Sequence, residues 1–229
     1  MQQARDGFMK LLTLTNILSK LQRPDRPPSN QESQGLTIAI IYGLAARQHM
    51  QRHLLHFLRE AGYPNTTLYG HLQANTIAND LQAAANKGDN IVVMGFSQGG
   101  FEAVRVAHAL NQRGIKLSLL VTIAAGGYGS VFMPHRWKDN PRSIPPNVER
   151  CLNYFSVTDA LGTDRQFKKN FAHATADQQQ VENIFFTKEE NIPHIALTKC
   201  YPASSVHPRV KADFLQRIKA ELAVFRKHS

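Results

Sequence analysis

Apolar residues along the chain fall into short continuous runs, separated by stretches where they recur every three or four positions. Short continuous runs read as strands buried on both faces, and the three-to-four recurrence reads as helices with one buried side. In chain order the pattern predicts a strand at 36–42 (LTIAIIY), a helix at about 46–61, a short strand at 66–69 and a helix at 76–86. A strand at 91–94 (IVVM) follows. Next comes FEAVRVAHALNQRG, in which Phe101, Val104, Ala107 and Leu110 recur at helical spacing and Gly114 is a stop. Strands are predicted at 115–125, 150–157 and 181–187, before a C-terminal helix with Val210, Phe214, Ile218, Leu222 and Phe225 on its core side. Strands alternating with helices predict an α/β domain: a mostly parallel central sheet with helices on both faces. A chain of 229 residues suits one such domain with a well-buried core.

Three regions depart from this alternation. In residues 1–35, Phe8, Leu11, Leu12, Leu14, Leu18 and Leu21 line one side of a predicted helix, and RPDRPPSNQESQ reads as a polar, proline-rich linker. This divides the chain into an N-terminal helix and linker (1–35) and a domain (36–229). The helix reads either as a surface for membrane or partner docking, or as a helix packed on the domain or frayed at the terminus. It makes a poor signal peptide, because Thr13, Thr15 and Asn16 break its apolar run and no small-residue cleavage site follows closely. No stretch is long and apolar enough to span a bilayer. The second region, about 126–148, opens with GGYG and holds Pro134, Pro141, Pro145 and Pro146, as a long irregular loop does. The third, 165–180, is polar and predicted to lie on the surface.

The candidate chemistry sits at the junction of the third strand and its helix. Gly95-Phe96-Ser97-Gln98-Gly99-Gly100 contains Gly-x-Ser-x-Gly between a predicted strand and a predicted helix. That is the setting of a nucleophile elbow, in which a sharp turn lifts the serine hydroxyl above the sheet edge. Glycines two positions either side leave out side chains that would crowd the bend. The first backbone N–H groups of the helix have no intrahelical acceptor and face whatever is bonded to Ser97. The N–H of Gln98 is the natural first donor to an oxyanion. A phosphate-binding loop is excluded, since Phe101-Glu102 stands where Lys and Ser or Thr are needed, and G-x-G-x-x-G is absent. The competing reading is a glycine-rich turn with an ordinary serine.

The GFSQGG string resembles that of carboxylesterases and acyl-protein thioesterases. In element order, over about 36–225, the chain is similar to small α/β-hydrolase fold proteins of the serine esterase, lipase and thioesterase type. Their His-Gly oxyanion loop is not matched, because Tyr42-Gly43 stands there. The resemblance implies an acid after the strand at 150–157, where Asp159 stands, with Asp164 and Asp177 as weaker candidates. It implies a histidine beyond the last strand. His194 lies a short loop past that strand and is the favoured base. His207 is the alternative, although Pro208 beside it marks a helix start. The second oxyanion donor falls on Gly43 or Leu44, with Leu44 preferred. The loop at 126–148 would lie over the site as a lid, with Phe132, Met133 and Trp137 either touching an apolar substrate or covering the core. Neither a metal nor an organic cofactor is required.

Composition adjusts this picture only slightly. Cys151 and Cys200 are the only cysteines, so no disulfide framework is implied. A reducing, cytoplasmic setting is the default expectation, with peripheral membrane association or secretion left open. No Cys-His signature surrounds Cys200. The net charge of +10 and pI near 9.8 suit contact with an anionic membrane or an acidic partner, and equally suit plain solubility. Nucleic acid is an unlikely partner without a zinc-finger spacing or RNA-binding signature. His49 and His53 have the i, i+4 spacing of a metal pair, but no Glu follows His49, so with His56 they read as a solvated polar face. The expected function is hydrolysis of a carboxylic ester, lipid and acyl-thioester included, through Ser97, Asp159 and His194. The alternatives are a non-catalytic hydrolase-fold binding module and a docking protein for anionic surfaces.

Overall fold

Each central strand divides its side chains between two cores. In β1 (Leu36–Tyr42), Ile38, Ile40 and Tyr42 enter one core while Ala39 and Ile41 enter the other. In β3 (Asn90–Phe96), Val92, Met94 and Phe96 join the first, and Ile91 and Val93 the second. This period of two across a sheet covered on both faces explains why the strands read as unbroken apolar runs. The computed structural model describes residues 23–27, 35–127 and 140–225. Phe132, Met133 and Trp137, most of the predicted lid loop, and the predicted helix near the N-terminus lie outside the described residues.

Among the described residues the remaining elements are α1 (Arg47–Met50), a π-helical turn (Gln51–Leu55) and α2 (His56–Glu60), forming one run, then β2 (Thr66–Gly70) and α3 (Ala74–Ala85). After β3 come α4 (Gln98–Asn111), β4 (Leu117–Ile123), β5 (Ser143–Ile144), β6 (Val148–Ser156), β7 (His173–Ala174) and β8 (Gln180–Phe186). A π-helical turn (Val210–Gln216) leads into α5 (Arg217–Val224). The main sheet runs β2-β1-β3-β4-β6-β8, with every neighbouring pair parallel.

One core is closed by Met50, Leu54 and Leu58 of the first helical run and by Val210, Phe214, Ile218 and Leu222 of the last. The other is closed by Ile77 and Leu81 of α3 and by Val104, Ala107 and Leu110 of α4. Burying a side chain such as Phe214 contributes roughly 1.5–3 kcal/mol. An ionic network fastens the last helix to the sheet: Arg150 of β6 pairs with Glu182 and Glu221, and Arg217 pairs with the same two carboxylates.

One expectation is corrected and another is refined. Residues 23–27 are not a loose linker. Asp25 exchanges backbone bonds with Leu68 of β2 (2.9 and 3.1 Å), and its carboxylate accepts from Arg59 (3.1 Å) and Gln51 (2.8 Å). This short piece satisfies part of the open edge of β2. Residues 165–180 lie mostly at the surface, as expected, but with buried exceptions. Asn170 is fully buried, and its side chain bonds the backbone of Asp164, Gln166 and Phe167. Asn153 of β6 reaches the Asn170 carbonyl at 2.7 Å, and Phe155, Phe167, Phe171 and Phe185 form an aromatic cluster.

Candidate active site

Parallel strands bring the loops that follow them to one edge of the sheet. Gly43 after β1, Ser97 after β3, Asp159 after β6 and His194 after β8 therefore share that edge.

Ser97 has φ 57° and ψ −125°, in the left-handed half of the map that favours glycine. Such a residue costs about 1–3 kcal/mol and persists only when its surroundings fix it. Here the Ser97 N–H bonds the Ile123 carbonyl at 2.8 Å, and the Gly100 N–H bonds the Ser97 carbonyl at 2.9 Å. The flanking glycines are required by space. A Cβ on Gly95 would lie 2.1 Å from the Gly99 carbonyl oxygen, and one on Gly99 would lie 2.1 Å from that of Ile41. Helix α4 starts at Gln98, immediately after this bend.

The turn after β1 presses against the elbow. A Cβ on Gly43 would sit 2.9 Å from the Ser97 Cβ and 3.0 Å from the Gln98 nitrogen. Leu44 is half-buried in that tight turn, where Ala45 has φ 56° and the Ala46 N–H bonds the Gly43 carbonyl at 3.2 Å.

Asp159 is buried just past β6. Its Oδ1 accepts the N–H groups of Leu161 and Gly162, both at 3.1 Å, which fixes the carboxylate plane. Its Oδ2 lies 2.6 Å from His194 Nδ1. With a carboxylate as partner, that nitrogen carries the proton and Nε2 is left as the basic atom. His194 opens a 3-10 turn (His194–Thr198), and its ring packs on Phe96 with centroids 4.7 Å apart. Phe96 directly precedes Ser97, so the histidine stands beside the elbow.

His207 is elsewhere. Its Nδ1 accepts the Arg209 N–H at 3.3 Å, at the start of the C-terminal helix. Asp164 pairs with Arg142 at 3.4 Å, and Asp177 is exposed. Burial pushes the Cys200 thiol up to about 12 and the Cys151 thiol likewise, so both stay protonated at neutral pH.

Of the three histidines of the first helical run expected on a solvated face, only His56 lies there. His56 is exposed and pairs with Glu60 at 3.2 Å. His49 and His53 are half-buried, with ring centroids 4.3 Å apart. His49 Nε2 lies 2.9 Å from Thr198 Oγ1, and His53 Nδ1 accepts the N–H groups of Cys200 (3.3 Å) and Tyr201 (3.2 Å). The sequence held a signal for this: each stands one position before a core residue, Met50 and Leu54, at the margin of the buried stripe. Among the described residues no cluster of three metal-ligating side chains forms, and no helix is long and apolar enough to cross a membrane.

No protein-family model and no curated protein sequence matches the chain. Solved structures do. A serine hydrolase without a lid from Xanthomonas campestris shares 15% identity and a TM-score of 0.52, covering 90% of this chain and 89% of its own. An arylesterase shares 12% identity and a TM-score of 0.56, covering 88% and 79%. YbtT, the type II thioesterase of yersiniabactin biosynthesis, shares 12% identity and a TM-score of 0.51, covering 90% and 99%. These likenesses, together with the strand order, establish the α/β-hydrolase fold.

Proposed function

We propose that this α/β-hydrolase-fold chain is a serine hydrolase acting on carboxylic esters. The observation that carries the reading is the 2.6 Å contact between His194 and the buried Asp159, beside a serine held at φ 57°. A strained serine, a histidine with one nitrogen fixed, and a carboxylate that fixes it are the parts of an acyl-transfer site.

In the proposed cycle, His194 Nε2 removes the Ser97 hydroxyl proton as Oγ forms a bond to the acyl carbon. The N–H groups of Gln98 and Leu44 stabilise the oxyanion that develops on the carbonyl oxygen. The tetrahedral centre collapses, the bond to the leaving oxygen breaks, and that oxygen takes the proton from His194. Water then attacks the acyl-enzyme, giving its proton to His194, and the second collapse frees the acid while Ser97 Oγ recovers the proton. Asp159 keeps its charge throughout and holds the imidazolium in register.

The substrate is proposed to be partly apolar. Leu161 and Ile195 are 59% and 53% exposed, and each stands one or two residues from Asp159 or His194. Large apolar side chains left in water beside a site suit an acyl chain or an aromatic leaving group. The thioesterase among the structural neighbours makes an acyl thioester the second candidate, by the same chemistry with a sulfur leaving group.

The test is turnover of p-nitrophenyl acetate by wild type and Ser97→Ala. The variant is expected to retain its fold and lose about 10,000-fold in kcat or more. Unchanged turnover in a folded Ser97→Ala protein would remove Ser97 from the mechanism.

A further inference from the structure

We infer that His49 and His53 are positioning residues that clasp the segment carrying His194 and hold it against Asp159 and Ser97. This rests on the serine-hydrolase reading above for the role of His194, but the clasp itself is a matter of geometry.

Residues 194–201 have little regular structure to hold them. Their internal backbone bonds are those of one 3-10 turn: Ala196 N–H to the Pro193 carbonyl at 2.9 Å, and Lys199 N–H to the Ala196 carbonyl at 3.2 Å. Other polar groups turn to the first helical run. The Cys200 and Tyr201 N–H groups both donate to His53 Nδ1. Thr198 Oγ1 meets His49 Nε2, and the Ile195 carbonyl takes a further bond from His49. The Tyr201 ring stacks on His53 at 6.5 Å, and its hydroxyl donates to Glu60. Successive turns of one helical run thus grip successive residues of an irregular segment, with Leu197, Thr198 and Cys200 buried between them.

Imidazole suits both positions. His53 can accept two N–H groups only through an unprotonated Nδ1. His49 is held neutral by burial first and then by the nearby His53, His194 and Lys199, which together push it down to about 4 against the smaller opposing effect of the Ile195 carbonyl. Burial, Lys199 and Arg52 act on His53 in the same direction. Neutrality matters because His194 becomes a cation when it takes the Ser97 proton. A second positive charge at His49 would oppose that step, whereas a neutral ring bonded to Thr198 steadies the turn without opposing it.

The experiment uses the full chain and the variants His49→Ala, His49→Gln and His53→Ala. Hydrogen exchange is followed over 194–201, and kcat and KM for p-nitrophenyl acetate are measured per fluorophosphonate-titrated site. Both alanine variants are expected to exchange this segment faster and to lose about 10- to 100-fold in kcat with KM nearly unchanged, the signature of a displaced base. His49→Gln, which keeps a donor and an acceptor, is expected to recover most of the loss. Unchanged exchange at 194–201 in both alanine variants overturns the clasp, whatever the activity. Faster exchange with unchanged kcat per site overturns the positioning role. If wild type neither labels nor turns over while exchange follows the variants, the hydrolase reading fails and the positioning role with it, but the clasp stands.

Discussion

The elbow around Ser97 and the segment around His194 are built in opposite ways. The elbow is a local construction: strand β3, one strained residue and helix α4 are continuous in sequence, and the glycines at 95 and 99 admit the neighbouring backbone. The His194 segment is irregular, and its anchors come from far along the chain. Asp159 is 35 residues away, Thr198 bonds a histidine 149 residues away, and Cys200 one 147 residues away. One half of the site is continuous in sequence and locked by the backbone packed around it, that of Ile41 and Ile123 included. The other half is only as rigid as the side chains that grip it, which makes it the half that conditions can loosen.

The largest expected effect lies in the elbow. Gly99→Ala forces a Cβ to within 2.1 Å of the Ile41 carbonyl oxygen, a backbone atom that cannot swing aside. It should cost about 3 kcal/mol of stability or more in chemical denaturation. Gly114→Ala is the control: with φ 68° and nothing within 4 Å of its Cβ, it should cost only about 1 kcal/mol. Equal costs would mean that the elbow is not the tight, local device described.

A smaller and graded effect is expected in the histidine segment. His49 is pushed down from 6.5 to about 4 in the fold. Below pH 6.5 the unfolded chain therefore takes up a proton that the folded chain refuses, so this residue makes stability decline as pH falls from 6.5 toward 4, with no further loss from it below that. Denaturation midpoints across this window should fall less steeply in His49→Gln than in wild type. Parallel slopes would contradict the neutral, half-buried state of the ring.

The same contrast explains what was legible in the sequence. The strand Leu36–Tyr42 follows from seven residues of pattern, because a strand covered on both faces writes its burial directly as an apolar run. The strand–turn–helix around Ser97 is legible for the same reason. Long-range polar ties leave no such trace. Spacing alone leaves His194 and His207 both open, and only the folded chain brings one of them onto Asp159. His49 and His53 look like solvent-facing residues until the segment 194–201 is laid across them. Asp25 sits in a proline-rich stretch that composition assigns to a linker, yet an open strand edge and two donors, Arg59 and Gln51, hold it. Asn170 lies in a polar run, and its burial follows from the Asn153 amide beneath it.

The central claim is that these two halves meet to activate Ser97. Fluorophosphonate labelling of wild type, Ser97→Ala, His194→Ala and His207→Ala, with the modified residue located by peptide mass, tests it most directly. The account predicts an adduct on Ser97 in wild type and His207→Ala, with labelling lost in Ser97→Ala and His194→Ala. Labelling that survives in His194→Ala and disappears in His207→Ala would contradict it.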